Sequence, residues 1–214
     1  MRELINNLRC RTSCKFLTLL LLADLAFLIF HILYLSGVLK DPLLSIERET
    51  GYSEIYQYIK EFWIFILLLI IAVKEKRLIY FAWSILFLYL LVDDSFALHE
   101  KVGNYLTNYV DFKPVLNLKA ADIGELCASA FFGILLFGTL FILYLFSKPI
   151  EKKISRELFI LILALAFFGV FFDMLHAAIH WGENIWGIIE DGGEMVIISI
   201  LLCYAYELKI EKID

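Results

Sequence analysis

The residues best suited to chemistry lie inside long apolar segments, and the most specific set follows one helical stripe. Asp173, His176 and His180 stand at i, i+3 and i+7. On a helix these three side chains fall within an arc of ~60°. Spacings of three and four aim imidazoles and a carboxylate at a single point, as metal sites in helical bundles require. The pattern predicts a set of metal ligands.

A second group ends the apolar run that begins at Leu78. If one helix continues to Glu100, Asp93 and Glu100 lie within ~20° of each other, with His99 a further ~100° round. These three side chains could share a broad inward face. Asp94 is expected to point elsewhere and to cap a neighbour or reach the interface.

Two later segments add carboxylates near their beginnings. Asp122 is expected to be an ordinary first-turn acid that complements the helix dipole, whereas Glu125 is deeper and is followed by an apolar run. Glu190 and Glu194 are one turn apart and therefore share a face. The pair Gly192-Gly193 between them has no side chains, so another helix or a ligand could approach the backbone closely.

The elements that must position these residues are membrane-spanning helices. The chain of 214 residues is 61% hydrophobic, compared with roughly 45–50% in soluble domains. A helix needs ~20 mostly apolar residues to cross a bilayer, and all three prolines fall between such stretches. We expect an all-α integral membrane bundle of six transmembrane helices, a single domain over residues 1–214, with spans at 16–37, 55–73, 78–100, 120–146, 157–181 and 185–208.

The distribution of basic residues predicts the orientation. With six spans both termini share a side, and that side carries 13 of the 19 Lys and Arg residues. The positive-inside rule then places both termini in the cytoplasm of a multi-pass cell-membrane protein. All four sets of acids and histidines fall near the non-cytoplasmic face, where His31 could join them, while Asp24 lies nearer the inner side. Val102, Tyr105, Leu106 and Tyr109 suggest an interfacial helix over the bundle.

Charge balance indicates what the site holds. No Lys or Arg is expected deep in a span, because Lys60, Lys101 and Lys119 are placed at span ends. Clustered carboxylates without internal cations argue for bound divalent ions or shared protons. Nitrogen and oxygen ligands suit iron, manganese or zinc, and two ions are more plausible than one. The predicted ligands are Asp93, His99, Glu125, Asp173, His176, His180 and Glu194, with Glu100 and Glu190 as candidate catalytic bases.

Ser95-x-x-x-His99 and His176-x-x-x-His180 together resemble the pattern of the alkaline ceramidase and adiponectin-receptor superfamily of seven-helix membrane hydrolases. The resemblance implies one zinc held by His99, His176 and His180, whose bound water attacks a lipid amide. It covers only these two motifs: six helices are expected here, and the paired histidines are not on the last one. The combined acidic segments also resemble bacterial six-helix membrane proteins, a resemblance that implies no activity.

The function expected from these features is a metal-dependent enzyme acting on a lipid or another hydrophobic substrate. Zinc would suit a hydrolase and a di-iron pair would suit an oxidoreductase, and the sequence does not choose between them. Alternatives are a cation or proton transporter, or a metal-stabilised sensory or structural protein without catalysis. Membrane lipid is an expected partner and nucleic acid is not; oligomeric state and substrate are left open.

Overall fold

The structure is a computed structural model. It describes the backbone of residues 2–110, 112–113, 119–178 and 182–213. Side chains are described between residues 13 and 208, apart from the same gaps and residues 177, 178 and 183. The predicted ligand His180 lies outside the described residues.

The described residues form helices and contain no strand, which confirms the all-α prediction. The chain begins with α1 and, after a short 3₁₀ turn at Pro42–Leu44, forms a helical hairpin of α2 and α3. Next come the short helix α4 and the long helix α5. The following helix is divided into α6, a π-helical turn at Phe167–Phe172 and α7, and the last helix is α8. The bounds are α1 Arg2–Leu35, α2 Tyr52–Glu75, α3 Leu78–Phe96, α4 Leu98–Thr107, α5 Ala120–Leu145, α6 Pro149–Ala166, α7 Asp173–Ala178 and α8 Glu183–Ile213.

Within the described part of the chain, five helical stretches are long and apolar enough to cross a membrane. They indicate a multi-pass membrane protein. The sixth predicted span is helical as part of α8, but α8 is not among the five. The stretches are Ser13–Leu35, Tyr52–Glu75, Leu78–Phe96, Ala120–Leu145 and Pro149–His176.

Helix α8 forms the centre of the bundle and packs against α1, α2 and α6. Its residues Met195, Leu201 and Ala205 are fully buried. The outer faces of the other helices are apolar, as at Ile134, which is 76% exposed. This division is the one expected of a bundle whose outer surface meets lipid.

The third predicted span is shorter than expected. Helix α3 ends at Phe96, Ala97 adopts a left-handed conformation with φ of 47°, and α4 starts at Leu98. The prediction of one helix to residue 100 is therefore wrong, and so is the angular argument that joined Asp93 to Glu100. The chain turns sharply here without a glycine or proline, which hydrophobicity alone does not reveal.

Small residues dock α4 onto the start of α5. A side chain at Gly103 would clash with the backbone of Glu125, and one at Gly124 would clash with the carbonyl of Gly103. The segment that carries Val102 and Tyr105 is helical, as predicted. This close packing fixes Glu125 next to the turn that carries His99.

Candidate functional site

An acidic cavity of about 300 Å³ lies at the end of the bundle where α3 and α7 end and α2, α5 and α8 begin. Its wall also includes the connection between α1 and α2. The predicted site residues on this wall are His99, Glu100, Glu125, Asp173, Glu190 and Glu194. Six of the nine predicted site residues therefore line one cavity.

The two described histidines of the predicted ligand set each bind a carboxylate in the same way. Nδ1 of His99 lies 3.0 Å from Oδ2 of Asp93, and Nδ1 of His176 lies 3.0 Å from Oε2 of Glu190. Because an ionised carboxylate only accepts hydrogen bonds, each Nδ1 carries the proton and donates it. In the neutral form of each ring, Nε2 is then left with a free lone pair.

Asp93 also organises the break between α3 and α4. Its Oδ1 accepts the backbone N–H of His99 at 2.8 Å, so both carboxylate oxygens are used by one residue. The hydrogen bond to Asp93 raises the pKa of His99 above its ordinary value of 6.5. The arrangement assigns Asp93 to orienting His99, whereas the sequence predicted that Asp93 binds metal directly.

Asp173 also lines this cavity. It is close enough to interact electrostatically with Glu190, His99 and His176. The π-helical turn immediately before Asp173 shifts the register of the helix at this point, and such turns are frequent at functional sites. Asp173 and His176, predicted to share a helical stripe, therefore both lie at or beside the cavity, and the π-helical turn precedes them.

Glu61 was not identified from the sequence as part of the site. Glu61 of α2 is 1% exposed and hydrogen-bonds to Asp94, while its Oε2 is buried without a hydrogen-bond partner. Glu61, Asp94 and Glu194 together line a second cavity of about 210 Å³ that adjoins the first. The prediction that Asp94 points elsewhere is wrong. Spacing of Glu54, Gln57 and Glu61 at three and four could have revealed this stripe.

Glycine lets the acid of α8 approach the neighbouring helix. A side chain at Gly169, inside the π-helical turn, would overlap the carboxylate of Glu194. One at Gly193 would overlap the ring of Phe168, and one at Gly192 would press on Leu28. The predicted close approach at Gly192-Gly193 is therefore confirmed, and it brings α1 and the π-helical turn onto α8.

The side chain of Lys60 in α2 is buried near the acids, contrary to the prediction that no Lys is deep in a span. Nζ of Lys60 is fully buried and lies 3.0 Å from Oδ1 of Asp24, 3.1 Å from Oγ of Ser199 and 2.8 Å from the carbonyl of Met195. Oγ of Ser199 donates to Oδ2 of Asp24 at 2.6 Å. Lys60 looked terminal because its span was counted from Ile55, yet α2 begins at Tyr52 and one face of its first turns, with Ser53, Gln57 and Lys60, is buried.

His31 has a different role from that of a further ligand. Its Nδ1 accepts the backbone N–H of Ile46 at 3.3 Å and lies 3.3 Å from Oγ of Ser45. Its Nε2 is 4.0 Å from Oε1 of Glu47. The ring therefore anchors the connection between α1 and α2, which in turn places Glu47 at the cavity.

Two other polar residues have local partners. Asp122 caps α5 by accepting the backbone N–H of Lys119 at 2.7 Å, the ordinary role expected of it. Ser95 donates its hydroxyl to the carbonyl of Leu91 in its own helix. Because the chain turns at Ala97, Ser95 and His99 lie on different helices.

Among the residues described, no three His, Cys, Asp or Glu side chains form a group that could hold a metal ion as placed.

Residues 14–208 match the family described as a domain of unknown function, DUF8692. The chain belongs to this family. No curated protein and no solved structure matches the chain. Membership of DUF8692 covers all the helices that form the cavity, so the acidic site lies within the family's domain.

Proposed function

We propose that the acidic cavity binds a divalent cation, with Nε2 of His99 and of His176 as nitrogen ligands. The observation that carries the proposal is the shared geometry of the two rings: a carboxylate fixes Nδ1 and leaves Nε2 available. Histidines that bind metals in proteins almost always donate their other N–H to a carboxylate, a backbone carbonyl or water. Asp173, which interacts with both rings, is the central carboxylate ligand.

Charge supports a cation in this cavity. Carboxylates from several helices face one space, and Glu61 beneath them has a buried oxygen without a partner. A bound cation would offset the repulsion between these carboxylates and draw Asp173, Glu125 and Glu194 inwards. Histidine nitrogen with carboxylate oxygen suits zinc, iron or manganese. Two ions, with His180 as a further ligand, remain part of the proposal.

The chemistry proposed for this cation is metal-dependent catalysis on a hydrophobic substrate. The adjoining cavity of about 210 Å³ is largely apolar and lies between α3, α5 and α6. A hydrophobic group held there reaches Asp94, His99 and Glu194, which line both cavities. A metal ion lowers the pKa of bound water to ~7, and Glu100 is the nearby carboxylate proposed as base, with Glu190 holding His176.

In the membrane, we propose that α8 is the sixth crossing and that both termini are cytoplasmic. Helix α8 is central and spans 31 residues, enough to cross a bilayer. Glu190, Asp191 and Glu194, in its first half, line the cavity. This orientation places the cavity at the non-cytoplasmic face, as the distribution of Lys and Arg predicts.

Metal analysis of the purified protein tests the cation proposal. Wild type should retain zinc, iron or manganese after dialysis, and His99→Ala and His176→Ala should each lose most of it. Glu207→Gln is the matched control, because Glu207 lies near the opposite end of α8. Equal metal content in wild type and both histidine variants would reject the proposal.

A second candidate function, transport of a cation or proton, is favoured by one observation. Asp24 and Lys60 form a buried ion pair, and Asp24 lies at the middle of the apolar stretch Ser13–Leu35. Charged residues at mid-membrane often mark ion pathways. A liposome flux assay decides: flux that is lost in Asp24→Asn would favour transport over catalysis, and absence of flux in wild type would remove this candidate.

A further inference from the structure

An apolar groove follows α5 away from the acidic cavity. Helices α5 and α6 are joined by residues 146–148 only, and such short connections usually join helices that pack along their length. Here α5 and α6 make few contacts. The space between them holds a cavity of about 330 Å³ with Trp83 of α3 on its wall. Nε1 of Trp83 donates to Oγ of Ser155 at 3.1 Å, so the polar group on this wall is satisfied.

This groove continues into the cavity that adjoins the acids. Phe137 lines both the 330 Å³ and the 210 Å³ cavities. Along α5 their walls run from Ser129 to Tyr144, about 22 Å at 1.5 Å per residue. That length exceeds half of the ~30 Å hydrocarbon core. The groove is therefore long enough for much of one extended acyl chain.

Basic residues stand at the far mouth of the groove. Arg156 lines the 330 Å³ cavity and is exposed, and no carboxylate within the described ranges forms an ion pair with it. Nζ of Lys152, one turn earlier, lies 5.4 Å from the ring centre of Tyr144, which also lines the cavity. Basic pockets between membrane helices bind lipid headgroups, and the guanidinium fork matches a phosphate.

We infer that this groove binds an anionic phospholipid, with one acyl chain between α5 and α6 and the phosphate at Arg156 and Lys152. The charge at the mouth complements the phosphate, and the apolar wall complements the chain. Lipid binding does not depend on the cation proposed for the acidic cavity. The bound chain would extend from the basic end of the bundle towards Glu194.

Two glycines of α5 provide a matched test of the chain site. Nothing lies within 4 Å of a Cβ added at either Gly133 or Gly138, so a side chain starts into open space at both positions. Gly133 lines the 210 Å³ cavity into which the groove continues, whereas Gly138 lines neither cavity. Leucine also favours the helix over glycine. Gly133→Leu should therefore fill the groove in a folded protein, and Gly138→Leu is the control.

Native mass spectrometry of the detergent-purified, cation-free protein measures binding of phosphatidylglycerol and phosphatidylcholine. Wild type should prefer phosphatidylglycerol, and Lys152→Gln with Arg156→Gln should weaken its binding about tenfold or more. Lys153→Gln, at a side chain that is 62% exposed beside Glu157, should change nothing. Gly133→Leu should weaken binding of both lipids, and Gly138→Leu should not.

Unchanged phosphatidylglycerol binding in either the double variant or Gly133→Leu would overturn the inference. So would displacement of the lipid by inorganic phosphate, which would indicate a free anion site with no role for the chain. Because these measurements exclude metal, a failure here is separate from a failure of the cation proposal.

Discussion

Nζ of Lys60 on α2 lies 3.0 Å from Oδ1 of Asp24 on α1, and both side chains are buried from solvent. Ser199 of α8 bonds to each of them, so three helices meet at one polar contact. An ion pair of this kind is tolerated in an apolar interior only when all its hydrogen-bonding groups are satisfied. Here the contact fixes how α1, α2 and α8 pack beneath the acidic cavity.

Removal of one member of this pair should destabilise the protein strongly. Lys60→Met leaves Asp24 buried without its partner, which typically costs about 3–5 kcal/mol. The double variant Lys60→Met with Asp24→Leu should recover most of that loss, because no charge is then buried. Denaturation of the protein in detergent micelles measures both. Equal stability of Lys60→Met and wild type would mean that the pair contributes nothing.

Neutralising Glu61 should have opposite effects on stability and on cation binding. Glu61 is buried and hydrogen-bonds to Asp94 with one oxygen unsatisfied. One of the two carboxyl groups must carry a proton for this bond, and Glu61→Gln supplies a permanent N–H donor instead. The cation-free variant should melt at a higher temperature than wild type. The further rise in melting temperature on adding zinc or manganese should be smaller than in wild type. Glu75→Gln, at the other end of α2, is the control for loss of a charge.

A side chain at Gly169 should disturb the site through Glu194. Gly169→Ala would overlap the Glu194 carboxylate and force it to move. Because that group is the end of a flexible side chain, the loss of stability should be at the low end of the about 1–3 kcal/mol typical of overpacking. Metal content should fall in parallel. Gly133→Ala is the matched control: its position is open, so it should be neutral or stabilise by up to about 1 kcal/mol. The same stability for both variants would show that the contact at Gly169 is unimportant.

The contact between His99 and Asp93 predicts a pH dependence of the cation-free protein. The hydrogen bond to Asp93 raises the pKa of His99 above 6.5. The charged ring is therefore favoured in the folded state, and its stabilisation is complete below about pH 6.5 and is lost as pH rises through the folded-state pKa. As pH is raised from about 6.5 through the folded-state pKa of His99, the melting temperature of wild type should fall relative to that of His99→Gln. Parallel profiles would contradict the assigned contact.

Much of the fold follows from hydrophobicity, because long apolar runs in a membrane protein must be helical. The break at Ala97 does not, since no Gly or Pro marks it and the turn depends on capping of α4 by Asp93. The π-helical turn before Asp173 also has no signal in the sequence that would have predicted it. Both features alter helical register, so angular arguments across residues 93–100 failed while the shorter spacing from Asp173 to His176 remained useful.

The sequence predicted the site best for acids on different helices that lie at the same end of the bundle. Topology placed Glu125, Asp173, Glu190 and Glu194 at the same end of the bundle, and these residues line one cavity. Partners across helices were not predictable: Lys60 was assigned to a helix end although it pairs with Asp24, and Glu61 was overlooked. Which side chains pair depends on how α1, α2 and α8 pack, and spacing within a single helix carries no such information.

X-ray absorption spectroscopy of the protein loaded with zinc or iron tests the central claim most directly, because it identifies the atoms bound to the metal. The account predicts at least two imidazole nitrogens together with carboxylate oxygens, and one imidazole fewer in His176→Ala. A spectrum that shows only oxygen neighbours, or the same nitrogen neighbours after loss of both His99 and His176, would contradict it.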